Sequence, residues 1–263
     1  LVTAVAAVRE LTEVAAGVLV ATAPLYTTTS TVLADGHGGC LVVDPAVTAA
    51  EVAGLAAAVR ARGLRPVAGW STHPHWDHVL WAAALGDVPR YATATAAAVA
   101  ERDRARLIDG VTESAPGHDL DWFGQLTPLA ADVIPWDGPR VRVLRHDAHE
   151  AGHGALLLPE TGVLMAGDML SDLEIPLLSA DDPDPVGSYR AGLELLAGLD
   201  DVRVLIPGHG HVAGPAEFRR RVQADLTYLA EIERGASSAG QDERIGTSWL
   251  RAEHDRQFTM LHP

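Results

Sequence analysis

The sequence predicts an α/β fold in which two β-sheets pack face to face with helices outside. Three observations carry this expectation. Short β-rich runs cluster in both halves of the chain, each cluster is followed by helical spacing, and no linker separates the halves. A length of 263 residues fits one large domain that buries a full core without disulfides, so a single domain over 1–263 is expected.

The first cluster comprises Gly17–Thr22, Thr31–Ala34 and Cys40–Val43, with the turn Asp35-Gly36-His37-Gly38-Gly39 before the last run. Ala49–Arg62 then spaces Val52, Leu55 and Val59 as a helix with an Arg-Gly stop, and Pro66–Thr72 reads as a buried strand. Beyond a histidine-rich segment, Val79–Leu85 predicts a helix, Arg90–Ala92 a short strand and Ala94–Ile108 a helix. A polar stretch with Gly and Pro runs from Asp109 to Pro139. Strands follow at Val141–Arg145, Ala155–Leu158 and Val163–Ala166, the last two joined by a Glu160-Thr161-Gly162 turn. Val186–Leu199 predicts a helix, Val202–Ile206 a buried strand, Ala216–Arg234 an amphipathic helix and Ser237–Pro263 a last helix.

Composition excludes several chemistries. The 20 basic residues are all Arg, and the chain contains neither Lys nor Asn. A Schiff-base lysine, a phosphate-loop G-K-[ST] and N-glycosylation are therefore ruled out, and there is no G-x-S-x-G elbow. A net charge of -15 repels phosphate backbones and anionic lipid, so neither nucleic acid nor membrane is an expected partner. Cys40, the single cysteine, sits in an apolar run and reads as a buried thiol. Leu1–Val8 is apolar but short and lacks a basic flank, which favours a cytoplasmic location over secretion.

Ser71-Thr72-His73-Pro74-His75-Trp76-Asp77-His78 follows a predicted buried strand and gathers three His and one Asp in six residues. Imidazole nitrogen and carboxylate oxygen suit zinc at about 2.0–2.2 Å, and such a loop turns alternate side chains toward two ions. Downstream, His149, Asp168 and His209 each follow an apolar strand or abut a glycine, where ligand groups gather in α/β folds. Together these five His and two Asp suffice for two ions that share a carboxylate. His149 and His153 stand four residues apart, and spacing alone admits either as a ligand.

The ordered series Asp44, His73-x-His75-x-Asp77-His78, His149, Asp168 and His209 resembles the five-motif signature of the metallo-β-lactamase superfamily. The resemblance implies an αββα sandwich of two mixed β-sheets flanked by helices. It implies that His73, His75 and His149 hold one metal, that Asp77, His78 and His209 hold the second, and that Asp168 bridges them. His149-Glu150-Ala151-Gly152-His153 is similar to the family's H-T-x-G-H, which makes His149 the ligand and leaves His153 behind it or facing substrate. Asp44 would order the histidine loop by hydrogen bonding, and His211 would approach the site from two residues beyond the last ligand. Two Zn2+ are expected, with Mn or Fe as alternatives. A hydroxide generated between two ions would attack a carbonyl or phosphoryl centre, with Asp77 or Asp168 carrying the proton.

Departures from known subgroups narrow the expected substrate to a small molecule with an ester, thioester, lactone or related acyl bond. Dinuclear zinc β-lactamases generally lack the bridging Asp, and acyl-homoserine lactonases carry Tyr where this chain has Ser171. Glutathione thioesterases hold their substrate with basic residues, for which Arg190, Arg219 and Arg220 are the available substitutes. The acidic charge disfavours the superfamily's RNA nucleases. An iron-dependent redox enzyme similar to persulfide dioxygenases, or a non-hydrolytic member such as a polyketide cyclase, is the alternative. The segment 94–139 is expected to cap the metals. Trp122 and Phe123 from it, with Trp76 and Trp81, would form an apolar mouth, and Trp76, between two ligands, is the foremost of these. His37, His118, His254 and His262 have no evident partners and are expected in solvent.

Overall fold

Period-two alternation along the strands decides which side chains enter which layer. In β2 (Val18–Thr22), Val18 and Val20 join the core between the two sheets, while Leu19 and Ala21 join the core beneath an outer helix. The computed structural model describes residues 8–263, so Leu1–Val8, read as too short for a leader, lies outside the described residues except for Val8.

The first sheet has seven strands in sequence order: β1 (Thr12–Ala15), β2, β3 (Thr29–Ala34), β4 (Gly39–Val43), β5 (Arg65–Trp70), β6 (Arg90–Thr93) and β7 (Thr127–Leu129). Pairing is antiparallel from β1 to β4 and parallel from β4 to β7, and α1 (Ala49–Ala61) makes the first crossover. Thr48 and Glu51 close a reciprocal capping box at the start of α1, worth about 1 kcal/mol. The second sheet has the order β11-β10-β9-β8, built from β8 (Arg142–His146), β9 (His153–Leu158), β10 (Val163–Gly167) and β11 (Val204–Pro207). Its β10–β11 pair is parallel and the others are antiparallel.

Leu33, Leu41, Val43 and Trp70 of the first sheet meet Leu156, Leu158, Met165 and Ile206 of the second in a shared core. Outside the second sheet, α4 (Pro185–Ala197) and α5 (Pro215–Glu233) bury Leu193, Leu196, Phe218 and Leu229 against Leu157, Leu164 and Leu205. The architecture is the αββα sandwich of two mixed sheets that the sequence predicts. Trp70 Nε1 donates to the Gly154 carbonyl at 3.0 Å and Gly154 N to the Thr72 carbonyl at 2.7 Å, which locks the two sheets together beside the histidine loop. Among the described residues no helix is long and apolar enough to cross a membrane.

Several elements differ from expectation. The helix expected over Val79–Leu85 is an irregular segment ending in a 3-10 turn at Ala83–Leu85. Val79, Leu80 and Trp81 are all buried there, so their apolar run reflects burial on several sides and not one helical face. The helix expected over Ala94–Ile108 is two, α2 (Ala94–Arg102) and α3 (Arg104–Ser114), broken at Asp103, whose carboxylate binds Arg102 and Arg106. α3 and β7 extend into the 109–139 stretch read as irregular. At the C-terminal end, a 3-10 turn at Ser237–Gln241 precedes α6 (Ser248–Leu261).

Candidate metal centre

Every chemistry-bearing residue sits just past a strand end or within the loop that follows β5. Asp44, at the end of β4, adopts a positive φ of 44° and turns its carboxylate into that loop. Its Oδ1 accepts from Thr72 N at 2.9 Å, and its Oδ2 accepts from Thr72 Oγ1 at 2.7 Å and lies 3.0 Å from His78 Nδ1.

The outer nitrogen of each imidazole is engaged, which points the other nitrogen at a common centre. His73 Nδ1 lies 3.0 Å from Thr72 Oγ1, and His149 Nδ1 lies 3.1 Å from the Leu177 carbonyl. His209 Nδ1 is held by the Tyr26 carbonyl at 3.1 Å and Thr28 Oγ1 at 3.2 Å. His75 is reversed: its Nε2 meets Glu150 Oε2 at 3.2 Å, so Nδ1 faces inward. Two groups result, His73, His75, His149 and Asp168 in one and Asp77, His78 and His209 in the other, with ligand atoms in each group within 4.8 Å of one another. Asp168 touches both: its Oδ1 lies 3.1 Å from His78 Nε2, and its Oδ2 lies 3.2 Å from His209 Nε2, 3.4 Å from His73 Nε2 and 3.5 Å from His149 Nε2.

Backbone geometry makes room for this convergence. Gly208 follows β11, and a Cβ there would lie 2.1 Å from Asp168 Oδ1 and 3.0 Å from His78 Cε1. The Gly208 carbonyl accepts from Thr29 N at 2.7 Å, tying the end of β11 to the first sheet.

The donor set fits divalent cations. His73 Nε2 and Asp168 Oδ1 are buried without a hydrogen-bond partner, which is uncommon unless an ion or water belongs there. Ligand nitrogens also face each other, His149 Nε2 to His75 Nδ1 at 3.1 Å and His78 Nε2 to His209 Nε2 at 3.3 Å. Burial pushes His149 down to about 4 and holds His73 well below the ordinary histidine range, so both offer free lone pairs at neutral pH. At His78 and His209 burial also opposes charge, but the surrounding carboxylates together outweigh it, Asp168 and Asp77 at both with Asp44 at His78 and Glu174 at His209, and raise both well above the usual value. Burial alone would raise Asp168, yet His209 and His78 keep it well below the carboxylate norm, a charge pattern that a cation satisfies in place of protons.

His153, in β9, is fully buried behind His73 at a ring-centroid distance of 4.9 Å. Its Nδ1 lies 3.2 Å from the Ala148 carbonyl, and it lines no part of the cavity above the cluster. His211 turns outward, its Nδ1 2.8 Å from Asp172 Oδ2.

A cavity of about 510 Å³ opens over the two groups, its wall formed by Tyr26, Trp76, Glu174, Leu177 and Trp249. The expected apolar mouth needs correction. Trp76 belongs to it, but Trp81 and Phe123 are buried in the core and Trp122 packs over Arg90. No residue of 94–139 lines the cavity, and that segment reaches the site through Gly110 of α3, packed against Trp76. Arg190, Arg219 and Arg220 do not line it either. Of the four histidines expected in solvent, His37 and His262 are exposed, His262 with Nε2 2.8 Å from the Ile232 carbonyl. The other two differ from expectation: His254 is buried with Nδ1 3.0 Å from Tyr228 Oη, and His118 is half-buried with Nε2 2.8 Å from the Val47 carbonyl.

Sequence reasoning missed Glu150, Tyr26, Glu174 and Trp249. Glu174 left a trace, a lone acid inside the apolar run Leu173-Glu174-Ile175-Pro176-Leu177. Burial pushes its carboxyl up to about 7.

Residues 24–209 match the family model described as the metallo-beta-lactamase superfamily. The chain is 28% identical over 237 residues to a hydroxyacylglutathione hydrolase of Acidiphilium cryptum (strain JF-5), covering 86% of this chain and 87% of that protein. It is 30% identical over 191 residues to a hydroxyacylglutathione hydrolase of Ruegeria pomeroyi, covering 71% and 67% respectively. A beta-lactamase domain protein from Burkholderia ambifaria superposes with a TM-score of 0.69 at 19% identity, over 99% of this chain and 89% of that one.

Proposed function

Because the chain belongs to the metallo-beta-lactamase superfamily, we propose that this binuclear metal-binding protein is a zinc-dependent hydrolase that cleaves an ester, thioester, lactone or related acyl bond of a small molecule. The observation that carries the reading is Asp168, whose two oxygens lie within 3.5 Å of ligand nitrogens from both groups. In this reading His73, His75 and His149 hold one ion, Asp77, His78 and His209 hold the other, and Asp168 is shared. Two such cations supply a water of near-neutral pKa and polarise the substrate carbonyl.

The chain's own residues do the rest. Glu150, Leu177 and Asp44 fix the rings of His75, His149 and His78, so each ligand lone pair is set before substrate arrives. Asp77 and Asp168 both reach the cavity floor, and Asp77 Oδ2, 3.3 Å from His209 Nε2, is our choice to pass a proton to the leaving group. Trp76 and Leu177 supply apolar wall against the acyl portion and keep bulk water from the carbonyl. No protein nucleophile is needed, in keeping with a buried Cys40 whose thiol is pushed up to about 12 by burial. The named activity of the two bacterial relatives supports an acyl thioester within this class.

Elemental analysis of purified protein, alongside hydrolysis of an ester, thioester and lactone panel before and after chelation, tests the proposal. Close to two zinc ions per chain and turnover lost on chelation are expected. One iron per chain with no hydrolysis in the panel would overturn it and move the redox alternative to first place.

A further inference from the structure

The cavity above the metal groups carries a recognition element that the hydrolytic reading does not use. Glu174 is 9% exposed and lines the cavity, yet among the described residues its carboxylate has no hydrogen-bond partner. Only its backbone is tied, its N to Ser171 Oγ at 3.1 Å and its carbonyl to Arg244 at 3.1 Å, so the loop holds the residue while the acid is left to a ligand.

What surrounds that acid is aromatic. Tyr26 and Trp76 meet edge-on with ring centroids 6.5 Å apart, and Trp249 completes the wall. Tyr26 and Trp249 are 44% and 43% exposed, a large apolar display that water alone does not favour. No Arg lines this cavity. A second cavity of about 430 Å³ shares Tyr26, Glu174 and Trp249 with the first and adds the acids Asp172 and Glu243. Its one cation, Arg244, is already committed to Asp225 at 2.5 Å and Asp242 at 2.9 Å.

From this geometry we infer that the substrate carries an organic ammonium group, seated between Tyr26, Trp76 and Trp249 with Glu174 as its counter-ion, while its acyl bond lies over the metal groups. Aromatic faces and a poorly hydrated carboxylate form the arrangement that attracts an ammonium and that repels a carboxylate-rich tail. The same features argue against glutathione itself as the leaving group, because its two carboxylates would meet Glu174, Asp172 and Glu243 with no unpaired arginine in either lining to offset them.

The inference rests on the hydrolase reading for the acyl bond but not for the ammonium, and two measurements separate them. In the first, metal-loaded protein is titrated with benzyltrimethylammonium, benzylamine and the neutral benzyl alcohol, followed by quenching of tryptophan fluorescence. Both cations are expected to bind at least tenfold more tightly than the alcohol, and Glu174→Gln is expected to erase that difference. Trp249→Ala, at a position 43% exposed in the first turn of α6, should weaken the cations by several-fold. In the second, kcat/KM is compared for acetyl thioesters of thiocholine, of its neutral 3,3-dimethylbutyl analogue and of glutathione. Thiocholine ester is expected to lead by about tenfold through KM, and the lead to vanish in Glu174→Gln. Equal binding of the alcohol and the cations, or a cation preference that survives Glu174→Gln, overturns the inference even if every thioester is hydrolysed. Glu174-dependent ammonium binding without any hydrolysis upholds it and fails the hydrolase reading instead.

Discussion

Single residues at the site are constrained by what lies within three ångströms of them, and Gly208 is the sharpest case. Replacing it with Ala would set a methyl 2.1 Å from Asp168 Oδ1, so either Asp168 or the turn after β11 must move. Overpacking of this kind costs about 1–3 kcal/mol, which a domain of this size survives, but a displaced Asp168 no longer reaches both ligand groups. Gly208→Ala is therefore expected to fold and to lose at least tenfold in affinity for one of two zinc ions, read by competition with a chromophoric chelator. Two tight ions per chain in that variant would show that Asp168 is not shared. Six of the seven residues gathered here could be named from sequence because strand ends followed by His or Asp leave a local pattern, and the seventh, His149, is separated from His153 by its resemblance to the family's motif. Glu150 and Tyr26 could not, because a glutamate that orients a ring and a tyrosine at a φ of 56° are fixed by partners 75 and 183 residues away.

At the scale of elements, the loop after β10 that carries Glu174 is anchored to α5 through Arg244. That guanidinium reaches Asp225 at 2.5 Å, Asp242 at 2.9 Å and the Glu174 carbonyl at 3.1 Å. Arg244 and Asp225 are both buried, so removing only the cation strands a carboxylate in the core. Arg244→Met is expected to cost about 3–5 kcal/mol in urea unfolding, whereas adding Asp225→Leu should restore most of that loss. If the double variant is no more stable than the single one, the pair is not the anchor. The sequence shows neither partner as special, because ion pairs formed 19 residues apart across a turn leave no periodic trace. Strongly amphipathic or fully buried elements were legible: α1, α4, α5 and the strands of both sheet cores fall within a few residues of their expected spans. Failures fell where one residue overrides a pattern, as at Asp103 between α2 and α3, or where an apolar run is buried from several sides, as at Val79–Trp81.

The whole molecule pays for its metal centre in proton linkage, and the cost is set by how many imidazoles the two-sheet core holds neutral. Burial pushes His146 and His149 down to about 4, and holds His73 and His153 well below the ordinary value. In the unfolded chain the same rings titrate near 6.5. As pH falls from about 6.5 toward 4, the unfolded state takes up protons that the folded state refuses, so stability present above 6.5 is progressively lost. Each such ring contributes up to about 1.4 kcal/mol per pH unit in that window. His146 isolates one share of the effect, since both its ring nitrogens are buried without partners and it belongs to neither ligand group. Chelated protein is expected to lose stability steeply between pH 6.5 and 4 in urea unfolding, and His146→Phe to flatten that slope by close to one proton. The opposite linkage holds for His78 and His209, whose raised values favour the folded state at low pH and lose that contribution as pH rises through them. A divalent cation bound there would displace those protons, so zinc-loaded protein should gain stability over chelated protein as pH rises from 6 to 8. A gap between loaded and chelated protein that stays constant over that range would mean that His78 and His209 are not the groups whose protons the metal replaces.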